Sequence, residues 1–144
     1  MHILKINLIY RYEEAVPLLE GIFKVREKLL TLSHMSVLQC LCELVAVLDA
    51  VRRPELALSY AVVAAKAFDL AGGAASPDAE TMRVPFLQLA SRLSAALGHD
   101  KRPYERQLAE LRYSKGAKLE NAQPLLEVIR ERYIHRASHT AKLA

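Results

Sequence analysis

Apolar residues recur along this chain at helical spacing, and they do so in almost every long segment. The first clear run spans about Tyr12 to Leu30, where Ala15, Leu18, Leu19, Ile22, Phe23 and Val25 alternate with the polar Lys24, Arg26, Glu27 and Lys28. Glu13 and Glu14 suit the start of such a helix, because carboxylates near an N-terminus oppose the helix dipole. A second run spans about His34 to Val51, with Ser33 as its expected N-cap. Its apolar set, from Val37 and Leu38 to Val47 and Leu48, is broad enough to be buried on two sides. Arg52-Arg53-Pro54 ends it, and Pro54 opens an alanine-rich third helix to about Ala71.

Gly72-Gly73 stops that helix. Ser76-Pro77-Asp78 begins another, which continues to Leu97 and Gly98, with a kink or a delayed start expected at Pro85. A shorter helix is expected over about Pro103–Tyr113, then a turn at Ser114-Lys115-Gly116. A final helix is expected from Asn121, its N-cap, to Ala137, with a frayed tail over 138–144. The opening residues are ambiguous: Leu4, Ile6, Leu8 and Tyr10 alternate like a strand and equally suit the end of a helix.

Self-comparison adds a second level of order. A shift of 42 residues sets Ala15 on Ala57, Leu18 on Tyr60 and Lys24 on Lys66. The segment Ala15-Val16-Pro17-Leu18-Leu19-Glu20-Gly21-Ile22 recurs as Ala122-Gln123-Pro124-Leu125-Leu126-Glu127-Val128-Ile129, identical at six of eight positions. Helix pairs that recur at this period indicate an alpha-solenoid. Tyr12-Glu13-Glu14-Ala15-Val16-Pro17-Leu18-Leu19-Glu20, followed by Arg26-Glu27-Lys28-Leu29-Leu30 and His34, resembles the tetratricopeptide repeat. It is nearest to the 42-residue variant of kinesin light chains. Pro54 to Tyr60, and Gly98 to Tyr104, are fainter copies. The sequence departs from the family in lacking Trp, the Gly-Lys turn before Tyr12 and the closing Pro of a repeat.

The expectation is therefore an all-α, single-domain chain over 1–144. It would be an alpha-alpha superhelix of about three stacked antiparallel helix pairs, with repeat units at 12–51, 54–97 and 98–113. A C-terminal capping helix would cover 121–137, and 1–11 would form an uncertain start. The resemblance implies that the first helix of each pair lines a concave groove. Carried onto this sequence, the groove positions are Gln39, Cys42, Ala46 and Asp49, and in the next unit Gln88 and Arg92. They would hydrogen-bond a partner peptide, or else be merely solvated.

Composition narrows the function. Of 144 residues, 52% are hydrophobic and 25% charged, too apolar for disorder. Lys plus Arg total 20 against 16 Asp plus Glu, a net charge of +4. Residues 1–99 are balanced at ten of each sign, so the surplus lies in 100–144, ten basic against six acidic. That end carries Arg130, Arg132 and Arg136 as a basic surface for an acidic protein, polymer or RNA, or as a solvated face.

Candidate chemistry is sparse. There is no phosphate loop, nucleophile elbow or Cys-x-x-Cys. Cys40 and Cys42 diverge by about 200° on a helix and suit packing in a reducing compartment. His34 and His99 suit turns. His135 and His139 have metal-compatible spacing without a third ligand. No catalytic residue, cofactor or metal is expected. Nor is a membrane span or signal peptide, which points to a cytoplasmic location. The expected role is a non-enzymatic adaptor or assembly subunit binding another protein or peptide. The alternative is a structural subunit contacting RNA or an acidic polymer. An end helix without a partner also predicts a second copy or a larger complex.

Overall fold

A computed structural model describes residues 2–71, 77–120 and 122–131, with side chains from residue 11 onward except at 77 and 78. Every regular element among the described residues is helical: α1 (His2–Leu29), α2 (Met35–Ala50), α3 (Pro54–Ala71), α4 (Pro77–Ala96), α5 (Arg102–Lys115) and α6 (125–131). Each of the first five packs on its neighbour in sequence, and α2 also packs on α4.

The centre of the molecule is α2. It is buried from Val37 to Leu48 apart from the half-buried Gln39, and Val37, Leu41, Leu44, Val45 and Leu48 have no exposed surface. A helix apolar on all sides needs cover on all sides, and α1, α3 and α4 supply it. On α3 the facing residues are small: Ala57, Ala61, Ala64 and Ala67 are all fully buried. With alanine at the contact, helix axes approach closely and α2 keeps its large side chains. Phe68 meets Phe86 of α4 at 5.1 Å between ring centroids, which joins the third helix to the fourth.

Polar contacts set the ends. His34 is the N-cap of α2, with its Nδ1 accepting the Ser36 N–H at 3.2 Å. The cap is thus one residue beyond the expected Ser33, whose hydroxyl lies 3.2 Å from that of Thr31. Arg26 Nη1 donates to the Ser36 carbonyl at 2.9 Å, which ties the end of α1 to the start of α2.

Two turns share one design. At the end of α2, the Arg52 and Arg53 N–H groups donate to the Asp49 and Leu48 carbonyls, and Arg52 has φ 63°. At the end of α4, Gly98 and His99 donate to Ala95 and Ser94, and Gly98 has φ 74°. Both are Schellman closures with a left-handed residue after the cap. They are 46 residues apart by number (98 minus 52), so the α2–α3 and α4–α5 hairpins repeat with a spacing slightly longer than the 42 seen in the sequence.

Several sequence expectations change. The opening residues are helical and continuous with the run from Tyr12, giving a 28-residue α1 with Pro17 inside it. Glu13 and Glu14 therefore lie in the body of the helix, and they do not complement its start. Pro85 does not delay α4, which begins at Pro77. An internal proline removes the bond to the Thr81 carbonyl and crowds it, a cost of about 3 kcal/mol that the packing of α4 offsets. The last helix begins at 125, after Pro124, and Asn121 and residues 132–144 lie outside the described residues, as do Gly72 and Gly73.

Arg52 holds a backbone conformation that suits glycine better. Arg52→Gly should raise unfolding free energy by about 1 kcal/mol in urea titrations. Leu44→Ala, which empties the middle of α2, should lower it by about 2–5 kcal/mol.

Candidate functional site

The best-built concavity lies where α2 and α4 run side by side. It encloses about 440 Å³. Its floor is Ala46 and Ala50 of α2, Pro85 and Leu89 of α4, and Leu125 of α6. Small side chains on α2 leave the space open, and the two helices keep it from collapsing because they pack directly on each other.

The polar rim is made of residues already joined to one another. Arg92 Nη2 donates to Asp49 Oδ2 at 2.7 Å, linking α4 to the last turn of α2. Gln88 Nε2 donates to the Leu119 carbonyl at 2.9 Å, which fastens the segment before α6 across α4. Ala122, Pro124 and Leu126 then close the third side. Asp49 and Arg92 are partly exposed, so their pair contributes on the order of 0–1 kcal/mol to stability. Its clearer effect is to hold two opposite charges at one edge of an apolar floor.

Of the positions carried over from the repeat resemblance, Ala46, Asp49, Gln88 and Arg92 all line this groove. Gln39 and Cys42 do not. Gln39 is half-buried and Cys42 has no exposed surface, so no ligand in the groove reaches the Cys42 thiol. Sequence reasoning missed Ala50, Leu89 and the 122–126 segment. A signal for the last was present: that segment belongs to the echo of residues 15–22.

Arg130 is exposed on α6, while Arg132 and Arg136 lie outside the described residues. Four other basic groups of this third of the chain are in ion pairs, while Arg106 and Lys118 form none among the described residues. Arg102 binds Asp100 at 2.9 Å, Lys101 binds Glu105 at 3.2 Å, and Lys115 binds Glu80 at 3.4 Å. Arg112 pairs with Glu120. The Arg102 hydrogen bonds hold the Asp100 carboxyl below its usual range.

Nothing in the groove resembles a reaction centre. Among the described residues Asp49 is its sole carboxylate, paired with Arg92, and no His, Cys or Ser lines the space. Among the described residues no three His, Cys, Asp or Glu side chains gather as a metal site would require. His135 and His139 lie outside them. His99 sits in an exposed turn beside Glu55 and Ser59. A larger hollow of about 740 Å³ lies along α5. It is bounded by one helix and Leu119 and has no opposing wall, so the α2–α4 groove is the better receptor. Among the described residues no helix is long and apolar enough to cross a membrane.

A second polar cluster joins α1 to the body of the protein. Tyr60 Oη donates to Glu20 Oε2 at 2.6 Å, and its ring stands edge-on to Phe23 at 6.0 Å. Burial, then the bond to Glu20, pushes the Tyr60 hydroxyl up to about 12. Cys40 is buried against α1, with its Sγ 3.5 Å from the Leu19 carbonyl. Burial and the nearby Glu43 raise its thiol to about 11.

No protein-family model matches the chain, and no curated protein or solved structure matches it either.

Both Cys40 and Tyr60 keep their protons to higher pH when folded than their ordinary values of 9.0 and 10.0. Their contribution to stability is complete below those values and is lost as pH climbs through about 11 and about 12. Urea midpoints should therefore fall above pH 9, and Tyr60→Phe should flatten the fall at its upper end. Cys40 and Cys42, 1% and 0% exposed, should react with a thiol reagent at least ~100-fold faster in denaturant than in buffer.

Proposed function

We propose that this chain is a non-enzymatic protein–protein interaction module. It is a short tetratricopeptide-like solenoid that serves as an adaptor or assembly subunit, and its α2–α4 groove receives a peptide or helix from a partner. The observation that carries the reading is the composition of the groove wall. It is built from α2 and α4, the first members of the two hairpins, with α6 following as the next in line. The second members, α3 and α5, are not packed on each other among the described residues. That alternation is what a staircase of hairpins produces, with one layer of first helices facing the ligand.

The groove also suits the ligand. Alanines, Leu89 and Leu125 offer an apolar seat for one aliphatic side chain. The Asp49–Arg92 pair at the edge offers both an acceptor and a donor to a peptide backbone. The polymer-binding alternative would use the exposed Arg106, Lys118 and Arg130, which form no ion pair among the described residues, and salt dependence separates it from the groove reading.

Selection of the full chain against a displayed random-peptide library tests the reading. Enriched peptides should bind in fluorescence anisotropy, and Ala50→Trp, which fills the groove floor, should weaken them at least ~10-fold without lowering the melting temperature. Binding should change little between roughly 50 and 200 mM salt. Failure to enrich any peptide, or full affinity in the Ala50→Trp variant, would refute the groove as a receptor. Steeply salt-dependent binding of a homopolymeric RNA would favour the alternative.

A further inference from the structure

The first helix carries an apolar stripe that the other described residues leave uncovered. Leu18, Ile22, Val25 and Leu29 are 69%, 42%, 57% and 78% exposed. Their spacing is four, three, four, and at 3.6 residues per turn they fall within an arc of about 60°. This is the seam pattern of a helix that packs on another helix along its length. The side that α1 turns to α2 is different: Val16 and Phe23 are the buried residues there. So α1 has two apolar faces, and among the described residues only one of them is covered.

The flank of the stripe says what covers the other. Glu14, Gly21 and Lys28 follow one another at seven-residue intervals along one edge, and all three are exposed. A Cβ added at Gly21 would meet nothing within 4 Å, so no described residue requires glycine in the middle of this helix. Glycine there weakens the helix. Neither Glu14 nor Lys28 forms an ion pair among the described residues.

We infer that α1 docks antiparallel on α1 of a second copy of this chain. A two-fold axis that sets Leu18 opposite Ile22 of the second copy also sets Ala15 opposite Val25 and Arg11 opposite Leu29. The flank then matches itself. On the flank, where facing residues are offset by two positions from the central layers, Glu14 faces Lys28 of the second copy, Lys28 faces its Glu14, and the two Gly21 lie on either side of the axis. Two unlike pairs close the rim, and the glycines let the backbones approach where side chains would hold them apart. Arg11 lays its aliphatic stem over Leu29 and keeps its charge at the edge. This surface is separate from the α2–α4 groove and stands whether or not the groove binds a peptide.

Sedimentation velocity of the full chain over roughly 1–100 µM tests it. The wild-type chain should shift from monomer to dimer with rising concentration. Ile22→Glu should remain monomeric throughout, with unchanged helical circular dichroism. Glu14→Lys alone and Lys28→Glu alone should each weaken the dimer by about fivefold. The Glu14→Lys/Lys28→Glu double variant should regain wild-type association, because the swap restores both pairs. Overturning results are a monomer at every concentration, a dimer indifferent to Ile22→Glu, or a double variant no better than the singles. The last would place the second copy in another register.

Discussion

The structure depends on one helix that has no outer face. With Val37, Leu38, Leu41, Leu44, Val45 and Leu48 all at or near zero exposure, α2 cannot exist in water without cover on each side. Each buried Leu or Val side chain contributes roughly 1.5–3 kcal/mol relative to exposure. That gain is realised only when α1, α3 and α4 are all in place. The remaining elements can be understood as coverings of α2, or as coverings of those coverings.

The choice of small residues on one partner follows from this. Four buried alanines on α3 give α2 a smooth surface to approach, and the bulk of the core is then supplied from α2, Met82 and Phe86. Polar groups were left to define ends and edges. His34 caps α2, Arg26 bonds to the next backbone, Gln88 fastens the approach to α6, and Asp49 with Arg92 bridges two helices at the groove rim. Each of these contacts adds little energy and much definition, since each works for one arrangement of its two elements.

Two surfaces of the described residues stay open. At the start of the described chain, α1 has a second apolar face. Within the body, α2, α4 and α6 leave a trough between them. In the last third Lys101, Arg102, Arg112 and Lys115 sit in ion pairs, while Arg106, Lys118 and Arg130 are exposed and form no ion pair among the described residues.

The pattern of the sequence was enough to show that the chain is helical and roughly where its helices lie. These follow from apolar spacing, from Pro54 and Pro77 at helix starts and from turns such as Gly98, all of which act over a few residues. The repeat resemblance pointed to Asp49, Gln88 and Arg92, which the structure places along the α2–α4 groove. Tertiary structure alone decided that the first residues continue α1, since alternation over ten residues suits strand and helix edge alike. It decided that Cys42 is sealed in the core while Ala50 and Leu89 line the groove, for facing depends on the helix packed alongside. It decided the cap at His34 over Ser33, which turns on where one ring nitrogen meets one N–H. Spacing along a chain fixes what a segment can form. Which side of it meets water is settled only by the neighbours it meets.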